Sequence, residues 1–453
     1  MRLRRLMVVF LLGAAFSPAA FADSETHYQD VLVGERAAGM GGAAIALGDE
    51  ATGAYYNPAG LATDASTLVQ VSMSAFKLKH RVTDLADLCG TRLTDDRGAA
   101  FSFPASLGLA KLFGRGRVRH AVGLLLVVPH ADRMSQSYVA RDARCGELSV
   151  DLGGSNVQVD RVLLGGLTYA IRPARWLQLG LTFGVGVRTF TAQQLVVTLG
   201  GTAAAPPSYP AVQFGSFDVA LWSAYLQFGA IVEPIPRLRF GLSFTTPYLR
   251  LAGTGRYDVF SALRDPQTGL AASAVASLDD AEYAWKVPFV LGLGAAYRFR
   301  RGLVLAADVK LHGPVESYAI LEHPRVPAGH APVLERQVVV NVNAGAEVPL
   351  GKRWLGRLGA FTNLTSLPRA TFAAGRAHDH LHLFGATLGV SVKPSPTSTI
   401  GLVVQGLAGT GDGLMDQVAA PAAPGQGLQV SQVASRATDL SLLVGIGGSY
   451  DLR

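Results

Sequence analysis

The chain has 453 residues, enough for one large barrel or two to three ordinary domains. Charged residues make up 16%, against roughly 25% in soluble proteins. Although 49% is hydrophobic, no stretch beyond the N-terminus holds the roughly 18 unbroken apolar residues of a spanning helix, so the apolar residues are dispersed as in strands with one face in lipid.

The first residues form a targeting segment. Arg2, Arg4 and Arg5 make a basic head, Leu6 to Phe16 an apolar middle, and Ala20-Phe21-Ala22 an A-x-A cleavage pattern. Residues 1–22 are therefore expected to be a cleaved signal peptide, and no cysteine follows them to carry a lipid anchor. Its removal lowers the basic count from 40 to 37 against 33 acids, so net charge falls from +7 to +4. That scattered surplus gives no nucleic-acid footprint.

Residues 23–63 do not alternate. They are rich in Ala and Gly, polar at the start and compatible with short helices around 34–47. Too apolar for a free tail, they fit best as a hatch inside a barrel lumen, which would otherwise be an aqueous pore.

Residues 64–453 read as the barrel wall. The clearest strand, 175–189, carries Leu177, Leu179, Leu181, Phe183, Val185 and Val187 on one face. Its other face holds Gln178, Gly180, Thr182, Gly184, Gly186 and Arg188. The same alternation returns in 238–246, 289–297, 337–348 and 440–452. Roughly fourteen such segments predict an all-β, transmembrane antiparallel β-barrel. Turn-like connections (Gly114-Arg115-Gly116, Arg172-Pro173, Glu233-Pro234-Ile235-Pro236, Arg300-Arg301-Gly302, Pro394-Ser395-Pro396) alternate with long loops at about 81–97, 134–154, 193–215, 253–283, 313–334 and 409–438. The long side is expected outward.

Two of those loops are unusually apolar. Pro206, Pro207, Tyr209, Pro210 and Phe214 mark one; Tyr257, Phe260, Leu263 and Leu270 mark the other. Exposed apolar patches commonly bind ligands, so these loops suit capture of a hydrophobic molecule. Pro104 and Pro288 each remove a ladder hydrogen bond and mark candidate openings in the wall. Cys89 and Cys145 fall in the first two outward loops, where a disulfide or two separate thiols are both open.

Arg188, Asp308 and Lys310 fall on inward positions. Arg188 and Lys310 suit a ligand carboxylate, with a structural ion pair the equal alternative. Asp308 and Lys310, two apart on one face, are expected to neutralise each other. His378, His380 and His382 alternate at a strand start and read as a solvated rim rather than a metal site. Gly39 to Ala44 fits G-x-G-x-x-A without the βαβ unit that would give it meaning. No catalytic set or cofactor motif stands out.

The run Gly34-Glu35-Arg36-Ala37-Ala38-Gly39-Met40-Gly41-Gly42-Ala43, with Asp49-Glu50-Ala51-Thr52 and Tyr55-Tyr56-Asn57-Pro58-Ala59-Gly60-Leu61, closely resembles the N-terminal hatch of the FadL family of outer-membrane fatty-acid and aromatic-hydrocarbon transporters. Phe103 to Leu109 and Gly241 to Pro247 extend the resemblance more loosely. The resemblance implies fourteen strands, a hatch motif at Asn57, Pro58 and Ala59, capture by outward loops, and lateral release through a gap in the wall. Physically, Pro58 fixes φ and Asn57 can bridge backbone groups, although an ordinary turn would use the same residues. Unlike many such barrels, the chain ends Tyr450-Asp451-Leu452-Arg453 rather than on an aromatic residue.

The expected function is thus passive outer-membrane transport of hydrophobic compounds, long-chain fatty acids foremost. The alternative is a non-transporting envelope scaffold or adhesion protein. Expected partners are the hydrophobic ligand, outer-membrane lipid and lipopolysaccharide, and the barrel assembly machinery.

Overall fold

The structure is a computed structural model that describes residues 26–62, 67–114, 118–146, 148–202, 205–264, 271–322, 333–373, 379–419 and 429–452. The expected signal peptide and its cleavage site lie outside the described residues, as does His378.

Six unbroken strands come first: β1 (Thr67–Leu88), β2 (Thr91–Phe113), β3 (Arg119–Cys145), β4 (Leu148–Ala174), β5 (Leu177–Thr202) and β6 (Ala205–Ile235). The later staves are mostly interrupted. β7 (Leu238–Thr245) with β8 (Leu249–Arg264) forms the seventh, and β9 (Ala271–Tyr283) with β10 (Val290–Arg298) the eighth. The ninth holds β11 (Val304–His312), β12 (Val315–Ala319) and β13 (Leu321–Glu322); the tenth holds β14 (Val333–Arg336) and β15 (Val339–Pro349). β16 (Trp354–Asn363), then β17 (Asp379–Leu381) with β18 (Leu383–Ser395), β19 (Ser398–Ala419) and β20 (Gln429–Asp451) complete fourteen staves. Antiparallel pairing of β1 with β20 closes the ring.

The alternation explains the wall. Phe183 is 52% exposed and its neighbour Thr182 only 1%. Likewise Val338, Val340 and Val342 are exposed on the outer face, whereas Asn341 and Asn343 are fully buried. A ring that turns Leu, Val and Phe outward and Asn, Thr and Gln inward is stable only with lipid outside.

The predicted long outward loops are corrected. Residues 81–97, 134–154 and 193–215 are chiefly strand, because β1 to β6 run on as hairpins of 22 to 31 residues per strand. Crossing a bilayer needs only about 9–11 tilted residues, so the remainder projects beyond it. There neither face meets lipid and the alternation fades, yet the ladder still satisfies the backbone.

The N-terminal segment carries a short helix α1 (Glu35–Gly39) and two 3-10 turns, Ala51–Tyr55 and Pro58–Leu61. It packs against the inward faces of the staves right round the ring. Glycines make the approach possible: a Cβ at Gly108, Gly241, Gly345 or Gly447 would strike the segment. Of Gly180, Gly184 and Gly186 on the inward face of β5, Gly180 does this; Gly184 and Gly186 make room for Tyr225 and Ser223 instead.

Candidate functional site

Asn57 is wholly buried and caps the 3-10 turn that Pro58 begins, its side chain accepting from Ala59 N–H at 3.1 Å. Its amide nitrogen faces the carbonyls of Ile45 (2.8 Å), Ala230 on β6 (3.1 Å) and Leu242 on β7 (3.3 Å). A single side chain therefore ties the turn, its own segment and two staves together. The wall is cut to match, since a Cβ at Gly229 would fall on Asn57 and Pro58, and one at Gly180 on Pro58 and Ala59.

Across the ring, the segment is held by charge. Arg357 of β16 donates to Glu35 (2.5 Å) and to Glu347 of β15 (2.7 Å), and Ser391 donates to Glu35 at 2.6 Å. Arg36 reaches Glu347 at 2.9 Å and Asp49 at 2.6 Å. Asp308 attracts Lys310 as expected, but it also does more. Its carboxylate accepts from the N–H groups of Ala44 (2.7 Å) and Ile45 (2.9 Å), making it another fastener of the segment.

Between segment and wall lie two adjoining chambers of about 130 and 160 Å3. Tyr28, Tyr55, Leu164, Tyr248, Val287, Val290 and His312 line both. The first adds Ile45, Tyr56, Tyr225 and Lys310; the second adds Pro129, His130, Asp160, Arg188, Trp285 and Arg336. The first lining is mostly aromatic and aliphatic with a few polar groups, the usual character of a small-molecule pocket, whereas the second sets its aromatic and aliphatic walls beside an ionic cluster that includes Asp30, His130, Asp160, Arg188 and Arg336. Tyr28 stacks on His312 with ring centroids 4.0 Å apart, so the N-terminal segment supplies part of the chamber wall.

Beside the second chamber the sheet parts. β2 and β3 pair only from Ser106↔Val127 to Phe113↔His120. Beyond that, β2 follows β1 and β3 follows β4, so among the described residues 91–105 and 128–145 share no ladder. Prolines mark the fork. Pro104 lies two residues past the last pair on β2, and Val128 and Pro129 bulge out of the β3–β4 register. Lys79 of β1 reaches directly to Asp132 of β3 at 2.8 Å, which requires β3 to lean inward past β2. His130, just beyond Pro129, joins Asp30 of the N-terminal segment (2.9 Å) to Asp160 of β4 (3.4 Å). Burial opposes the charge on Asp30, but His130 holds its carboxyl well below the usual range.

The residues singled out from sequence are scattered across this site. Lys310 lines the first chamber, hydrogen-bonded to Gln29 at 3.0 Å with its ammonium over the Tyr56 ring. Arg188 lines the second, in a two-bond pair with Asp160 at 2.9 and 2.8 Å. Tyr257 packs on Phe217 in an aromatic cluster with Tyr283 and Trp285. Phe260 is the cross-strand partner of Phe214 on the opposite face of that hairpin from Tyr257, and neither Tyr257 nor Phe260 lines the chambers. Tyr209 belongs to β6, and its side chain lies outside the described residues. Pro288 sits between β9 and β10, beside Val287. His380 is 5% exposed, correcting the solvated-rim reading; it packs edge-on against His382. Cys89 and Cys145 are joined, Cα to Cα 5.2 Å.

Sequence reasoning missed Tyr28, His130, Tyr248, Trp285, His312 and Arg336. His312 continues the inward series Asp308, Lys310, and His130 follows a proline that breaks alternation; those signals were present. The others come together only in the folded ring.

The fold and site define a transmembrane barrel whose lumen is filled by its own N-terminal segment and whose wall parts beside a chamber of mixed aromatic and ionic lining. Comparison with solved structures places that fold: it is the fold of the FadL-type channels. A Pseudomonas aeruginosa FadL homologue is similar at 15% identity and TM-score 0.59, over 94% of this chain and 100% of the other. The CymD monoaromatic hydrocarbon channel follows at 13% and 0.58, over 93% and 98%, and the Pseudomonas putida toluene transporter TodX at 13% and 0.54, over 92% and 97%. At the level of sequence no family model matches, and no curated protein does either.

Proposed function

We propose that this protein carries hydrophobic compounds passively across the outer membrane, with residues 23–63 as a hatch in the 64–453 barrel. The observation that carries the reading is the parting of β2 from β3 beside a chamber lined by Pro129 and His130. An apolar molecule held there has a sideways exit into lipid and need not pass the N-terminal segment. The outward-facing apolar band and the likeness to outer-membrane channels support the location. Long-chain fatty acids remain the leading ligand class, because Lys310, though attracted by Asp308 next on the same face of β11, stands in a first chamber whose lining holds no carboxylate among the described residues. Arg188 is committed to Asp160 and is a weaker candidate.

A second ligand class has its own support. Each chamber, at about 130 and 160 Å3, is close to the roughly 150 Å3 apolar cavity that accommodates benzene. Small aromatic hydrocarbons therefore fit one chamber, whereas a long acyl chain needs both. Accumulation of labelled palmitate and labelled toluene by cells producing the barrel, against cells lacking it, tests both readings. Uptake of either without entry of a hydrophilic dye is expected. Uptake of neither at normal barrel abundance would favour the scaffold or adhesion role. Mass spectrometry of co-purified lipids would name the ligand.

A further inference from the structure

The parting has an outward end as well as an inward one. Cys89 lies in the tight turn between β1 and β2, and Cys145 is the last residue of β3. Their disulfide therefore crosses the parting at its tip, joining two hairpins whose facing edges share no ladder there. The Cys89 turn has a firm seat of its own, for its N–H donates to Val418 at 2.8 Å and Ala86 to Leu88 pair in parallel with β19. Next to the bond is a small buried core that draws Leu88 and Leu93 from one side of the parting and Ala140 and Leu152 from the other. Nearer the fork the Lys79–Asp132 ion pair ties the two hairpins, but at the tip apolar packing of a few side chains leaves the edges free to slide, whereas a covalent bond does not.

We infer that the Cys89–Cys145 bond is the lintel of the parting. It turns an open-ended slit into a window of fixed height, closed below by the Ser106↔Val127 pair, and so limits the bulk of what leaves sideways. The window itself rests on topology alone; the limit on bulk rests also on the transport reading. With the bond cut, the edges at 91–105 and 128–145 can splay from the tip down toward the Lys79–Asp132 pair, below which the ladder resumes at the fork. The loosening is local, because every other edge of those strands stays paired.

The experiment uses the whole barrel in detergent, oxidised, reduced after folding, and as the Cys89→Ser/Cys145→Ser double variant. Both thiols are expected to resist labelling until reduction. Loss of the bond is expected to raise amide exchange in 91–105 and 128–145 by about tenfold or more, leaving 106–113 and 120–127 unchanged. In proteoliposomes, a pyrene-labelled fatty acid should gain permeation relative to the unlabelled acid. Free thiols in the oxidised protein, unchanged exchange, or a rise spread over the whole barrel would overturn the lintel. Local exchange without any gain for the bulky probe would overturn the limit on bulk and leave the window standing. Reduction after folding keeps the test open even where the double variant fails to assemble.

Discussion

Between Glu35 and Glu50 the N-terminal segment meets the wall through ions; between Asn57 and Ala59 it does so through one amide and bare glycine backbone. The two seams lie on different sides of the ring, the first on β15, β16 and β18, the second on β5, β6 and β7. They also stand differently to the chambers. Tyr55 and Tyr56, directly before Asn57, line the first chamber, while Glu35, Arg36, Glu347 and Arg357 line neither. Buried charges are costly to leave unpaired, so the ionic seam resists piecemeal release. A neutral amide leaves only ordinary hydrogen-bond partners behind. The Glu35–Arg357 anchor thus sits away from the ligand space, whereas the Asn57 fastening, like the Asp30–His130 pair, sits beside it.

Both seams are lost together when the segment is removed. Deleting residues 23–63 should give the largest effect, a folded barrel that leaks small hydrophilic solutes. Single-channel recording in planar bilayers measures it, and a folded deletion that conducts no better than the parent would end the hatch reading.

Removing one ionic partner comes next. Arg357→Met strands Glu35 and part of Glu347 in a buried site, a loss of about 3–5 kcal/mol in segment docking. Limited proteolysis of residues 26–62 should then become rapid while the barrel stays resistant. Equal resistance of segment and parent would show that the ions do not anchor it.

Asn57→Ala is expected to be milder, about 1–3 kcal/mol from the partners left unsatisfied. Hydrophobic uptake should fall at normal barrel abundance, without the leak produced by the deletion. Gly229→Ala should mimic it, since the new methyl would displace the same side chain. If Asn57→Ala weakened docking as much as Arg357→Met, the distinction between firm and releasable seams would collapse.

What the sequence disclosed follows the same physics. Lipid on one face and lumen on the other impose a period of two, so Leu179, Leu181 and Phe183 announced their strand. Beyond the bilayer that demand ends, and the projecting hairpins of β1 to β6 passed for loops. Asn57 and Pro58 stood out because an amide before a proline suits an irregular chain. The ionic seam did not: Glu35, Glu347 and Arg357 are more than 300 residues apart at the extremes, and only ring closure brings them together. Asp308 and Lys310 were placed on the right face and do attract each other, but their bonds to Ala44, Ile45 and Gln29 went unforeseen, because sequence gives the face and not what lies across the lumen from it.

The smallest expected effect tests the edge of the ionic seam. Glu50 is partly buried and accepts a hydrogen bond from Gln70 at 2.8 Å. Burial pushes its carboxyl from an ordinary 4.5 up to about 7, with the nearby Arg36 pulling the other way. The docked segment therefore holds this proton more tightly than the undocked one does. Docking help from protonated Glu50 is fully present below about 4.5, declines as pH rises, and is lost above about 7. Amide exchange in residues 26–62, corrected for its intrinsic pH dependence, should accordingly be slower at pH 5 than at pH 8. Glu50→Gln keeps a neutral side chain in place at every pH and should flatten that difference. Because Arg36, Arg357 and Asn57 remain untouched, the change should stay below that of either seam mutant. A Glu50→Gln protein with the parent's full pH dependence would mean that another group titrates there, and the ionic seam would owe nothing to the protonation of Glu50.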